Sequence, residues 1–330
     1  MRCNTRRSSD RNPAHSSIAL LMRGGSRSSR RLRAAAIAAA ALGVGFVAPA
    51  APASNLIDRN ASNVTLQASR GGMALLTYRA GGKLKHVLAW GATNAHAPTT
   101  GQAQVAFKLD YSGGWGLSRK LPLLWEHFRN ACRPYRGPAL AWLVAACTAP
   151  DGSHWAVQSW QRMLPNYGLP VSDPSQAVWE LRLSHWRGPL ATFTVKQDWA
   201  YRRWDNVYGS YTYRGQPMFG FQTTPQGAPL DNYGVLIYVD TLNSAYGSGW
   251  KRENSFVTHN PSGIFCYGFF PHGPRPSGMG ESYRATVVGA GVLPDQFWQG
   301  PTLGPYDAER DAKANEERRT LFSDRLCSYN

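Results

Sequence analysis

The chain has 330 residues, with 36 Lys and Arg against 20 Asp and Glu and a formal net charge of +16. That balance favours acidic partners such as anionic wall polymers, lipid headgroups or nucleic acid, or it serves solubility alone. No GxSxG elbow, Walker A loop or GxGxxG turn occurs, so the hydrolase and nucleotide-binding classes marked by those motifs find no support.

The first predicted element is an export signal over residues 1–53. Met22 to Arg33 carries five arginines and no acid, and Ala34 to Val47 is an apolar run of fourteen. Ala51-Pro52-Ala53 before Ser54 has the small-residue spacing a signal peptidase needs. The apolar run is short, alanine-rich and followed by prolines, which argues against a membrane anchor. Residues 1–21 precede this unit, and Met22 is an alternative start. Arg30-Arg31 permits twin-arginine export without requiring it. Nine arginines against Asp10 give residues 1–53 a charge of +8, so +8 of the +16 stays on the 277 residues from Ser54 onward. The expected localisation is secreted or envelope, with no transmembrane anchor after cleavage.

That length suffices for a large core. Residues 54–302 are expected to form a β-rich globular domain, with a division into two subdomains near 170 as the alternative. Residues 303–330 are expected to form a helical tail. Met73 to Trp90 reads as a hairpin turning at Ala80-Gly81-Gly82. Pro122 to Cys132 fits a helix better than a strand, and Ser153 to Asn166 fits either. Trp179 to Trp186 alternates Trp, Leu and Leu against Glu180, Arg182 and Ser184, the pattern of a half-buried strand. Phe193 and Val195 continue the pattern after a turn at residues 187–190. Gly209 to Thr224 reads as a second hairpin, turning at Gly215. Short buried strands are expected near residues 233–241 and 282–292. Tyr306 to Leu326 is the clearest helix, free of Pro and Gly, with Leu321, Phe322 and Leu326 as its apolar end. The fold class is all-β, β-sandwich-like, with minor helices and a C-terminal helix.

Four cysteines follow the leader, and an even number in an exported chain implies two disulfides. The preferred pairing is Cys132–Cys147 and Cys266–Cys327, the second tying the tail to the body. Cys266 lies between His259 and His272, yet in an oxidising compartment it reads as half of a bridge rather than a nucleophile. No CxxC spacing occurs, so no structural zinc is expected, nor any other metal or cofactor.

Two segments carry candidate chemistry. Residues 197–215 interleave aromatics and arginines. Trp199, Tyr201, Trp204 and Tyr208 offer faces for sugar rings, while Arg203 and Asp205 offer charged and hydrogen-bonding groups. The mixture also suits single-stranded nucleic acid, a less favoured partner, and it equally suits the interior of a sheet. Residues 238–263 contain Asp240, Glu253 and His259, groups able to serve a glycosidase or peptidoglycan-acting hydrolase. Asp240 reads equally well as a turn cap. The leading expectation is non-catalytic binding of a glycan or anionic cell-wall polymer. A secreted hydrolase and a structural or partner-binding envelope protein are the alternatives. Oligomeric state is left open.

Overall fold

The computed structural model describes residues 54–96, 104–114, 124–163, 177–200, 204–218, 221–223, 229–231, 237–244, 247–252, 258–259, 264–269 and 282–321. All of them fall in one compact unit, Ala48–Asn330.

The first strands are β1 (Asn55–Arg59), β2 (Ser62–Ala68), β3 (Ala74–Ala80), β4 (Lys83–Trp90) and β5 (Lys108–Asp110). Next come β6 (Arg133–Pro134), β7 (Leu143–Thr148), β8 (His154–Met163) and β9 (Ala177–Trp186). Strands β2-β3-β4-β5 form one antiparallel meander, and β1-β9-β8-β7-β6 form a second sheet. The β3–β4 hairpin turns where the sequence predicts. Gly81 and Gly82 both have positive φ, at 58° and 74°, the conformation that a two-residue turn between twisted strands requires.

The chain continues through β10 (Thr192–Ala200), β11 (Trp204–Tyr213), β12 (Gln216–Pro217), β13 (Phe221–Thr223) and β14 (Pro229–Asp231). Then follow β15 (Ile237–Ser244), β16 (Gly247–Arg252), β17 (Thr258–His259), β18 (Ile264–Phe269), β19 (Tyr283–Val287) and β20 (Gln296–Gln299). These give a sheet ordered β10-β11-β18-β17 with β12 on β11, a sheet ordered β16-β15-β19-β20, and the pair β13-β14. The second hairpin turns at Arg214 and Gly215, with φ of 52° and 75°, but among the described residues its return arm on β11 is β12 alone; Phe221–Thr223, expected in that arm, pairs with β14 instead. Helix α1 (Ala308–Leu321) closes the described chain.

The sheet containing β8 and β9 is covered on both faces. Trp155, Val157, Leu181 and Leu183 point to one side, into a cluster with Leu76, Tyr78 and Val87 of the meander. Ala156, Trp160 and Trp186 point to the other, into a cluster with Val207, Tyr211, Val239, Tyr283 and Ala285. Each fully buried Trp ring withdraws 150–250 Å² from water, on the order of 4–6 kcal/mol at about 25 cal/mol per Å².

This layering corrects the half-buried reading of β9. Glu180, Arg182, Ser184 and His185 are all buried along with the apolar residues between them. Alternation of polar and apolar residues signals a solvated face only when nothing covers it, and here a further layer of strands does. Residues 187–190 do not turn β9 back upon itself; they carry the chain from one sheet to another, where β10 pairs with β11.

Two helix readings also change. Residues 153–166 were open between helix and strand, and His154–Met163 is a strand paired along its length with β9. Within the 122–132 segment, the described residues 124–130 form a turn and bend rather than a helix. They are held by long-range bonds, Ala131 N to Ala68 O at 2.7 Å and Ala68 N to Asn130 Oδ1 at 3.3 Å.

Candidate functional site

In the 197–215 segment, Trp199 and Tyr208 lie inside the protein, each about 1% exposed. Trp199 meets Tyr306 edge to face, with centroids 5.4 Å apart. The Tyr208 hydroxyl donates to Glu317 Oε2 of α1 at 3.1 Å. Neither ring presents a face for a sugar to stack upon. Trp204 and Asp205 lie on β11, opposite Ala200 and Trp199 of β10. Tyr201 and Arg203 lie outside the described residues.

The helix that covers this segment makes contact along its middle, through buried Asp311, Ala314 and Asn315; Phe322 and Leu326 of its expected apolar end lie outside the described residues. Asp307 caps it by accepting Arg310 N at 3.0 Å. Tyr306 donates to Asp311 Oδ2 at 2.9 Å, and Asn315 Nδ2 to Asp311 Oδ1 at 2.8 Å. Two ion pairs fasten it to β10, Arg310 to Asp198 at 2.7 Å and Lys196 to Glu317. The Lys196 ammonium holds the Glu317 carboxyl below its ordinary range. A groove of about 490 Å³ remains between helix and strands, lined in part by Gln197, Trp298, Arg310 and Lys313. Two of the cations around it, Lys196 and Arg310, are already paired with carboxylates.

Of the acidic candidates Asp240 and Glu253, Asp240 lies among the described residues. Asp240 sits on β15, 2% exposed, with Arg284 Nε 2.6 Å from its Oδ2. Arg284 in turn lies over the Trp250 ring at 4.8 Å. Asp240 is therefore a strand residue in an ion pair, not a turn cap. His259 ends β17, beside Phe265 of β18, and Glu253 lies outside the described residues.

Cys132 and Cys147 are disulfide-bonded, with Cα atoms 5.4 Å apart. Cys266 lies on β18 opposite Thr258 and Tyr208, and Cys327 lies outside the described residues.

The arrangement with the clearest chemistry is one the sequence reading missed. Arg70, Arg129 and Arg133 line a single concavity of about 850 Å³, together with Ser69, Asn130 and Pro150. Its walls come from three places. The β2–β3 turn brings Arg70, folded so that Ser69 N donates to Met73 O at 2.8 Å. The 124–131 segment brings Arg129 and Asn130. β6 brings Arg133, opposite Thr148. Asn130 Oδ1 accepts Cys132 N at 2.9 Å as well as Ala68 N. The disulfide then ties that segment to β7. All three arginines are exposed, and among the described residues none forms an ion pair. Among the described residues, no carboxylate lines the concavity. Guanidinium groups converging without counter-charge can take phosphate or carboxylate groups by paired, charge-assisted hydrogen bonds. Residues 59 positions apart in sequence share this wall, so no local motif announces it. The bridge Cys132–Cys147 was the one sequence signal pointing near it.

Among the described residues, no group of three or more His, Cys, Asp or Glu is placed to hold a metal ion, and no helix is long and apolar enough to cross a membrane. No protein-family model, curated protein or solved structure matches the chain. What its fold and candidate site define is a class, an antiparallel all-β protein with an arginine-lined concavity.

Proposed function

We propose that the chain is exported, loses residues 1–53 and binds an anionic polymer of the cell envelope without catalysis. The binding groups are Arg70, Arg129 and Arg133. The observation that carries this reading is that three exposed arginines line one concavity with no carboxylate among its described lining residues. The +8 charge on residues 54–330 supports it by drawing polyanions toward the surface. The 197–215 segment is no longer the binding surface in this reading, because Trp199 and Tyr208 are interior.

The test is co-sedimentation of the purified protein with an insoluble anionic wall polymer and with a neutral glycan. The expected result is retention on the anionic polymer, lost in Arg129→Gln/Arg133→Gln. Both side chains are exposed, so the fold tolerates their replacement. Equal retention of the double variant, or equal retention on the neutral glycan, removes the arginine site. A single-stranded oligonucleotide that competes at equal charge concentration would place nucleic acid ahead of the wall polymer.

A further inference from the structure

Ser54, the first residue after the predicted cleavage point, is not a loose end. It is fully buried. Its N–H donates to Gly289 O at 2.7 Å. Its carbonyl accepts Arg182 Nη1 at 2.8 Å. Its hydroxyl donates to Asp295 Oδ1. The residue that follows the predicted processing point thus lies inside a buried polar cluster on the covered face of β9.

Among the described residues, the buried part of that cluster holds two carboxylates and one cation. Glu180 and Asp295 are both buried carboxylates, and Arg182 is the buried cation between them. Arg182 favours Glu180, with Nη2 at 2.7 Å and Nε at 3.2 Å from Oε2, and its Nε stands 3.8 Å from Asp295 Oδ2. Arg59 adds a second cation to Glu180 from the exposed rim, at 3.5 Å. Asp295 has no such neighbour among the described residues. Its oxygens accept neutral donors, Gly289 N at 2.9 Å, Trp160 Nε1 at 2.7 Å and the Ser54 hydroxyl. Tyr211 and Tyr238 also face the cluster. Burial pushes the Asp295 carboxyl above its ordinary range in spite of Arg182. A buried carboxylate served by neutral donors and a shared cation is under-compensated.

We propose that cleavage of the Ala53–Ser54 bond converts the buried Ser54 nitrogen into an ammonium that pairs with Asp295, so that export processing completes the charge balance of the core. The inference rests on the export reading given above. Water supplies the oxygen to the Ala53 carbonyl carbon, the C–N bond breaks, and Ala53 leaves as a carboxylate. The released Ser54 amine, with a pKa of about 7.7–8.0 in water, takes up a proton where the Asp295 carboxylate offsets the cost of burying the charge. One amide donor becomes three. One of them keeps Gly289 O, and the others arise within the span of the residue whose own hydroxyl already reaches Asp295. The leader and the core are thereby linked: the folded state gains its missing cation only after the leader is gone.

The test uses the full chain expressed in an exporting host. One version is natural, and a second carries Ala-Gly inserted between Ala53 and Ser54, so that processing leaves the Ser54 nitrogen an amide. Terminal sequencing, thermal unfolding and labelling with an amine-selective reagent are read on both. The proposal expects the natural version to begin at Ser54, to melt higher by on the order of 5 °C, and to label at its terminus at least tenfold more slowly than a model peptide. In Asp295→Asn the melting difference between versions disappears. If Asp295→Asn fails to fold, the labelling of the natural version still decides. A chain recovered unprocessed overturns the export reading. A chain processed after Ala53 whose two versions melt together, or whose terminus labels as a free peptide does, overturns the ion pair alone.

Discussion

Trp160 and Asp295, 135 positions apart in the chain, are joined by a hydrogen bond of 2.7 Å from the indole Nε1 to Oδ2, and both are buried. The bond links β8 of the central sheet to the loop between β19 and β20. Gln158 doubles the link, accepting Asp295 N and donating to Asp295 O, each at 2.9 Å. The covering layer is therefore anchored to the central sheet by polar bonds as well as apolar packing.

Trp160→Phe keeps much of the ring and removes the donor. Asp295 Oδ2 is left in a dry site with one partner fewer, a loss of about 1–3 kcal/mol. Urea unfolding should show a lower midpoint at an unchanged slope. An unchanged midpoint would mean that water reaches the site.

Gly289 lies next to this network, and a methyl there would collide with the carbonyl oxygens of Leu293 and Pro294. Backbone atoms cannot rotate aside as a side chain end can. Gly289→Ala should lose about 1–3 kcal/mol, the usual range for overpacking, read as a fall in Tm. Gly188→Ala, where the space is open but φ is +81°, should cost only the strain of that backbone conformation, about 1 kcal/mol.

How much of this was legible follows from where the information sits. The Gly81-Gly82 and Arg214-Gly215 turns were readable, because the demand for positive φ is local. The C-terminal helix was readable in place, but the burial of Asp311 and Asn315 was not: they look like a solvated face until Tyr306 and β10 cover them. Strand β9 was readable as a strand, but its charged residues passed for a surface. Whether a second layer covers Glu180 and Arg182 depends on strands a hundred residues later. The arginine concavity was invisible for the same reason, since Arg70 meets Arg129 and Arg133 only through tertiary bonds. Asp295 drew no notice, because one acid in a loop carries no period.

The Cys132–Cys147 bridge closes a loop of sequence separation 15, and such a loop limits the unfolded chain by about 3 kcal/mol in the chain-entropy model. Cys132→Ala/Cys147→Ala should lower Tm by several degrees. It should also weaken polyanion binding, because the bridge helps to hold Asn130 and Arg133 at the concavity. Reduced Tm with unchanged binding would show that the Asn130 hydrogen bonds alone suffice.

His185 is buried against Trp155, with ring centroids 3.7 Å apart, and its Nε2 bonds Ser153 Oγ at 2.9 Å. Burial holds its pKa below the ordinary value, while the Ala92 carbonyl and Asp151 oppose that shift. The unfolded chain therefore binds a proton that the folded chain refuses. Its contribution to stability is full above about pH 6.5 and declines as the pH falls below it. His86 and His154 are lowered by burial too and act with the same sign, whereas Asp295, raised by burial, acts with the opposite one. Unfolding free energy measured from pH 7 to pH 5 should fall less steeply in His185→Gln than in the natural protein. Parallel slopes would place the proton uptake elsewhere.

The most direct test of the binding account is a salt titration of affinity for a soluble anionic polymer, comparing the natural protein with Arg70→Gln/Arg129→Gln/Arg133→Gln. Binding through guanidinium groups releases counterions, so the logarithm of affinity should fall linearly with the logarithm of salt concentration. The triple variant should bind at least tenfold more weakly at low salt and with a shallower slope. Equal affinity and equal slope in the two proteins would contradict the account.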